Sequence, residues 1–261
     1  MSTGHGQQFS RPRQRQDRSV LPQPRRLLDL YRCGRSHRPE WHHPDCAPVG
    51  AGDLLRDPRV SVRYPGQVIG TPGGSLAGAT FTANEAVGRI GAKGERRTAE
   101  ILNQLAHAPG GPSILHDLSI PIKGVNANVD HVVVSGRTVT IIDTKVWAGA
   151  FYWTLAGRTY RGWKRFATTG KAGVSYPAEK RTLPMARDSY AKYLGTPVAD
   201  VKISLIVWPS SKTPLNLTLF AGAGNPKTVD GTKLTVGRAG RLYGRRPADA
   251  NLLSALAKLT K

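Results

Sequence analysis

Cysteine is nearly missing from the chain: Cys33 and Cys46 are the only two in 261 residues, and both lie ahead of the segment richest in pattern. A disulfide-stapled core is therefore excluded, and a reducing compartment, the cytoplasm, is the expected location. Long apolar runs are missing too. No window approaches the ~20 apolar residues that a membrane helix requires, and the opening MSTGHGQQFSRPRQ has no apolar stretch for a signal peptide, so a membrane is not an expected partner. Acid is scarce as well, with 17 Asp and Glu against 38 Lys and Arg and a net charge of +21. A field of that sign attracts polyanions over about a nanometre, which makes nucleic acid the expected partner. Charge alone does not separate a catalyst from a solubilising coat.

What is present changes along the chain. Residues 1–85 hold twelve arginines, nine prolines and no lysine, without sustained helical or strand periodicity, and read as a basic, largely disordered leader. Such a leader is either a nucleic-acid-binding arm or the product of an over-extended reading frame. Its Cys33, His37, His42, His43 and Cys46 lack the paired spacing of a zinc site and are read as a chance grouping. Residues 86–261 are expected to form the folded domain. There Ala99, Leu102 and Leu105 predict a helix over 94–107, stopped by Pro109-Gly110-Gly111-Pro112. Strands are predicted over 129–134 and 138–146, joined by Ser135-Gly136-Arg137, and a second hairpin over 150–155 and 158–164 around Ala156-Gly157. A helix over 178–194 ending at Gly195, a buried strand over 201–207 and an amphipathic helix over 247–259 complete the reading.

Hydrolysing a phosphodiester near neutral pH calls for a divalent cation, and hard cations take carboxylate oxygens. Residues 86–261 hold only ten acids against twenty-six bases, so any acids brought together are conspicuous. With a two-residue loop at Gly136-Arg137, Asp130 and Asp143 face each other across the hairpin, and a shared cation would relieve their repulsion. Strand alternation places Val139, Ile141, Asp143 and Lys145 on one face and Thr140, Ile142 and Thr144 on the other. Lys145 thus stands beside the acids, where its ammonium offsets charge developing on the phosphate. His131 points away from Asp130, toward packing or a structural hydrogen bond. Asp-x-Lys alone is a weak signal, since an exposed salt bridge has the same spelling.

The flanks strengthen it. GAKGERRTAEIL at 91–102, NVDHVVVSGRTVTIIDTKVWAG at 128–149 and the Tyr152-Trp153 hairpin behind them resemble the nuclease-related domain (NERD) branch of the PD-(D/E)xK nucleases, over about 91–195. The resemblance implies an α/β fold, a restriction-endonuclease-like mixed central sheet flanked by helices. It implies Asp130 and Asp143 as metal-binding carboxylates for Mg2+ or Mn2+, Lys145 as the catalytic lysine and Glu95 as a further acid of the site, matching the helix glutamate of archaeal Holliday-junction resolvases. The implied activity is metal-dependent hydrolysis of DNA; the alternative is an inactive nucleic-acid-binding protein that keeps the fold. Many nucleases of this fold form homodimers, and the resemblance leaves that open. Two departures stand out: Asp143 replaces the commoner glutamate, and no glutamine follows Gln104, so Lys180 or Arg187 is left for a phosphate-facing role. Glu100, about 140° around the helix from Glu95, is a weaker candidate.

Between Lys145 and Lys171, Trp147, Tyr152, Trp153, Tyr160, Trp163 and Phe166 alternate with cations. Half of these aromatics are expected to face a core, while Arg158, Arg161, Lys164 and Arg165, costly to bury, are the expected nucleic-acid contacts.

Overall fold

A computed structural model describes residues 65–73, 85–170, 173–175, 177–178, 180–197 and 200–261. All of them belong to the unit Pro58–Lys261. The Cys33, His37, His42, His43 and Cys46 group and most of the expected leader lie outside the described residues.

Six strands form the main sheet: β1 (Val68–Ile69), β2 (Ser113–Ser119), β3 (Asn128–Ser135), β4 (Thr138–Trp147), β10 (Val201–Pro209) and β12 (Lys227–Asp230), adjacent in that order. The β2–β3 and β3–β4 pairs are antiparallel, while β1–β2, β4–β10 and β10–β12 are parallel. The expected mixed sheet is therefore present. A four-stranded sheet combines β5 (Phe151–Leu155), β6 (Arg158–Arg161) and β7 (Lys164–Arg165) with β11 (Asn216–Leu219), and β8 (Thr168–Gly170) pairs with β9 (Gly173–Ser175).

Helices cover both faces of the main sheet. α1 (Glu85–His107) and α3 (Val236–Tyr243) pack Leu102, Leu105, Ala106, Ala239 and Tyr243 against Val133, Ile142 and Ile206. On the other face α2 (Thr182–Leu194) and α4 (Ala250–Ala257) pack Leu183, Ala186, Tyr190, Leu252 and Leu256 against Val132, Ile141 and Leu205. β10 is sandwiched between the two layers, which is why 201–207 reads as unbroken apolar sequence rather than alternation. A parallel β4–β10 pair needs a long crossover, and the segment containing α2 supplies it.

The central hairpin follows the sequence closely. Gly136 has φ of 59° and Arg137 lies outside the positive-φ residues, as a type II′ loop demands, so Ser135 pairs with Thr138 and Val132 with Ile141. Elsewhere the boundaries move. α1 begins at Glu85, nine residues before the expected start, because Gly88, Gly91 and Gly94 depress helix propensity without preventing a helix that tertiary packing holds. The second hairpin's return strand breaks at Gly162-Trp163, where Gly162 has φ of 57° and reverses the chain into β7. α2 starts at Thr182 rather than 178 and ends, as expected, with Gly195 in the left-handed region at φ 59°. β10 continues to Pro209, and α4 is limited to Ala250–Ala257, with the Asp249 carboxylate accepting the N–H groups of Asn251 and Leu252. The sheet also begins before the expected domain boundary, since β1 lies at 68–69. Among the described residues, no helix is long and apolar enough to cross a membrane.

Candidate active site

The β3–β4 ladder runs to the pair His131 and Ile142, so Asp130 and Asp143 are the next residues outward on the two strands. Alternation divides β4 as expected. Val139 and Ile141 belong to the α2 side of the core and Ile142 to the α1 side, so Asp143 and Lys145 open toward the α2 side. The Lys145 ammonium donates to Asp143 Oδ2 at 2.6 Å and to the Thr144 carbonyl at 3.0 Å. The pair stays partly open, with side chains 33% and 22% exposed. Asp130 is tied from the other direction: its Oδ2 accepts the main-chain N–H of Thr144 at 2.6 Å.

Glu95 joins this group from α1. Because the helix starts at Glu85, Glu95 lies in its third turn, too far from the N-terminus to be explained as an acid favouring the helix dipole. It is 9% exposed, and burial together with Asp130 drives its carboxyl up to about 8, against the opposing pull of Lys145. Burial and then Asp143 raise Asp130 to about 7, although Lys145 and the Thr144 N–H favour its ionised form. Burial alone would depress the Lys145 ammonium. Asp143, Asp130 and Glu95 outweigh it and hold the group above the ordinary lysine value, so Lys145 is a fixed positive charge rather than a base.

Residues behind the site hold it in place. On α1, Gly94 lets the helix lie against β4: a Cβ there would stand 2.5 Å from Val146 Cγ2. Thr98 Oγ1 donates to the Gly94 carbonyl and accepts from Trp208 Nε1 at 2.9 Å and from Thr144 Oγ1 at 3.3 Å, which ties α1, β4 and β10 together beside the two acids. His131 is buried on the far side of β3, as alternation predicts, with its Nδ1 2.9 Å from His116 Nδ1. His116 Nε2 lies 2.9 Å from Asn103 Oδ1, an acceptor, so His116 carries its proton on Nε2 and His131 donates from Nδ1. That arrangement leaves His131 Nε2 a bare acceptor, in keeping with its having no partner among the described residues.

Residues 90–181 match the family model of the nuclease-related domain. No curated protein and no solved structure matches the chain. The resemblance read from the sequence is borne out over that stretch, about a third of the chain, and the function it carries is nuclease-related. The nuclease-related segment opens within α1 and closes just before α2, so it contains Glu95, Asp130, Asp143, Lys145 and Lys180.

Two residues of this segment gain weight from the structure. The β2–β3 register passes over one position, where Asp117 faces Asp130; Asp117 has φ of 54°, is buried, and accepts Asn128 Nδ2 at 2.8 Å. It adds to the repulsion that raises Glu95. Sequence reasoning missed it because β2 carries two buried polar residues, His116 and Asp117, and shows no clean alternation. Lys180, only loosely indicated by sequence, lines a small cavity of about 60 Å³ with Asp143, Lys145, Trp147, Leu183 and Leu205. Two cations therefore share one mouth, and the Lys145 ammonium, then burial, lowers the Lys180 pKa. Arg187 instead pairs with its neighbour Asp188, and Glu100 is exposed.

The aromatic segment divides as expected. Trp147 packs with Tyr152, Phe166 and Phe220, anchoring the four-stranded sheet to the end of β4. Trp153 stacks on Tyr160 with centroids 4.4 Å apart, and Trp163 is 93% exposed. Arg158, Arg161, Lys164 and Arg165 are all exposed, and the Arg161 guanidinium lies over the Phe166 ring.

Proposed function

We propose that this protein is a nuclease hydrolysing DNA phosphodiester bonds with a divalent cation, Mg2+ or Mn2+, held by Asp130 and Asp143. The observation that carries the proposal is the Asp130 carboxylate held at 2.6 Å on the N–H of Thr144, between Asp143 and its Lys145 partner, with the Asp130 and Glu95 carboxyls pushed up to about 7 and 8 by burial and by neighbouring acids. Acids so placed are short of positive charge, and a cation would restore their ionised forms. Among the described residues no three His, Cys, Asp or Glu side chains are grouped as a ready-made metal cage. Magnesium does not require such a cage: it typically uses one or two carboxylates and completes its shell with waters and substrate phosphate. When bound, the cation polarises the phosphate and lowers the pKa of a coordinated water.

The chain's own residues supply the rest. Asp130 and Asp143 each keep one carboxylate oxygen clear of the bonds to Thr144 N–H and the Lys145 ammonium. Lys145 remains charged and faces the developing negative charge on the phosphate. Lys180 brings a second cation to the same mouth, where relatives are expected to carry a neutral glutamine. Arg158, Arg161, Lys164 and Arg165 contact flanking phosphates, and Trp163 offers a face for stacking a base.

One observation favours a second reading, an inactive nucleic-acid-binding protein: Asp143 and Lys145 already satisfy each other at 2.6 Å. A cleavage assay on duplex, branched and single-stranded DNA with Mg2+ or Mn2+ separates the two. Asp143→Ala and Lys145→Ala are each expected to reduce cutting by roughly 10²- to 10³-fold while leaving binding in place. Cutting that survives both substitutions rejects this site, and an absence of cutting on every substrate favours the second reading.

A further inference from the structure

A cleft of about 290 Å³ opens at the turn end of the central hairpin, away from Asp130 and Asp143. Four cations surround it: Lys202 from β10, Arg241 from α3, and Arg245 and Arg246 from the segment between α3 and α4. Ser135, Thr138, Thr140 and Tyr243 also line it, and among the described residues no carboxylate does. Thr138 and Thr140 point to the α1 side of the sheet, whereas Asp143 and Lys145 point to the α2 side. At ~3.3 Å per residue, Thr138 lies about 17 Å along β4 from Asp143. The cleft and the Asp143–Lys145 pair thus lie on opposite faces of β4, separated along the strand.

The cations are arranged rather than merely present. Arg245 lies across α3 at Gly240, where a Cβ would stand within 2.9 Å of its guanidinium carbon, and its Nη2 donates to the Gly237 carbonyl at 3.5 Å. Ser135 Oγ accepts the Arg246 N–H at 3.1 Å, and the Arg246 side chain rests against Gly136. Among the described residues, none of the four cations is paired with a carboxylate. The acid nearest the arginines along the chain, Asp249, is already engaged with Arg137 and with the first turn of α4, and Asp200, two residues before Lys202, does not line the cleft. Four like charges around one concavity, without an acid to balance them, are stabilised by a polyanion.

We propose that this cleft is a second nucleic-acid-binding surface that takes backbone phosphates, independent of the metal-dependent site. Arg241, Arg245 and Arg246 supply planar guanidinium forks suited to phosphate oxygens, and the hydroxyls complete the shell. The arginines lie beyond residue 181, outside the nuclease-related match, so this surface is a feature of the C-terminal part of the chain.

The test uses the full chain and a labelled DNA duplex in excess chelator, so cleavage plays no part. Fluorescence anisotropy across a salt series gives the slope of log affinity against log salt. Replacing Arg241, Arg245 and Arg246 by Gln together is expected to reduce that slope by about 2 to 3, at ~0.9 per lost phosphate contact. Replacing Lys123, Lys192 and Lys261 by Gln removes the same charge elsewhere and is expected to change the slope much less. The proposal is overturned if the two triple variants behave alike, which would mean that only the general field acts, or if the arginine triple matches wild type. Conversion of the three arginines to Lys preserves charge and is expected to retain most of the slope, and thermal melts establish that each variant is folded. Since the measurement needs neither metal nor turnover, its failure is distinct from failure of the nuclease proposal.

Discussion

The Asp130 carboxylate accepts the main-chain N–H of Thr144, the residue between Asp143 and Lys145, at 2.6 Å. One hydrogen bond therefore fixes the acid of β3 against the acid and ammonium of β4, although the regular ladder stops one pair earlier. The charge balance of the site follows from that closeness.

Metal and pH are coupled through this arrangement. Asp130 and Glu95 have folded-state pKa values of about 7 and 8, above their ordinary 3.8 and 4.5. Without metal the folded protein keeps protons that the unfolded chain releases, so stability falls as pH rises from about 4 to 8. A cation at the acids removes the penalty. Thermal melts are expected to show a larger Mg2+-induced rise in Tm at pH 8 than at pH 5, and Asp130→Asn is expected to reduce that difference. An equal shift at both pH values would contradict the assigned site.

The buried histidine pair responds in the opposite direction. Burial lowers His116 to about 4, and burial together with His116 holds His131 well below its usual value. Unfolded histidines take up protons below about 6.5 and these do not, so the pair costs stability as pH falls from about 6.5 toward 4, on the order of 3 kcal/mol for His116. Nuclear magnetic resonance titration is expected to show the His116 ring protons unmoved until about pH 4. A midpoint near 6.5 would rule out the neutral pair.

Two glycines of α1 separate packing from propensity. At Gly91 a Cβ would stand in open space, whereas at Gly94 it would meet Val146. Gly91→Ala is expected to stabilise the protein by ~0.5 to 1 kcal/mol, through helix propensity. Gly94→Val adds branched bulk at the contact and is expected to destabilise by roughly 1 to 3 kcal/mol and to reduce cutting, because it pushes α1 and Glu95 away from β4. Urea midpoints that shift in the same direction for both would show that Gly94 is not a close-approach position.

Trp163 projects from the β6–β7 turn, 93% exposed and touched at its ring by Trp153. Trp163→Ala is expected to weaken binding to single-stranded DNA by ~1 to 3 kcal/mol, read by anisotropy, with little change in Tm. Unchanged affinity would assign stacking elsewhere.

The parts of the fold legible in sequence were those specified locally. The Gly136 loop sets the pairing of β3 with β4, and strand alternation then puts Asp143 and Lys145 on one face and His131 opposite Asp130. β2 was not legible because His116 and Asp117 look like surface residues until His131, Asn103 and Asn128 are brought alongside. α3 was hidden by Gly237 and Gly240, and Gly240 gives room to the Arg245 side chain rather than marking a loop. The early start of α1 was masked by its own glycines. Arg241, Arg245 and Arg246 read as scattered charge, since only the fold brings Lys202 to them.

The two-residue loop at Gly136 has a consequence for how this hairpin can change over evolutionary time. Side chains in the ladder can be exchanged one at a time, because each swap is absorbed locally. A single residue inserted within either paired strand is different: unless a bulge absorbs it, it reverses the parity of the positions between it and the site, turning Asp130 or the Asp143–Lys145 pair to the α1 side. The number of residues in each arm of the ladder is thus held by counting, and length variation is accommodated in the loop or by a compensating bulge.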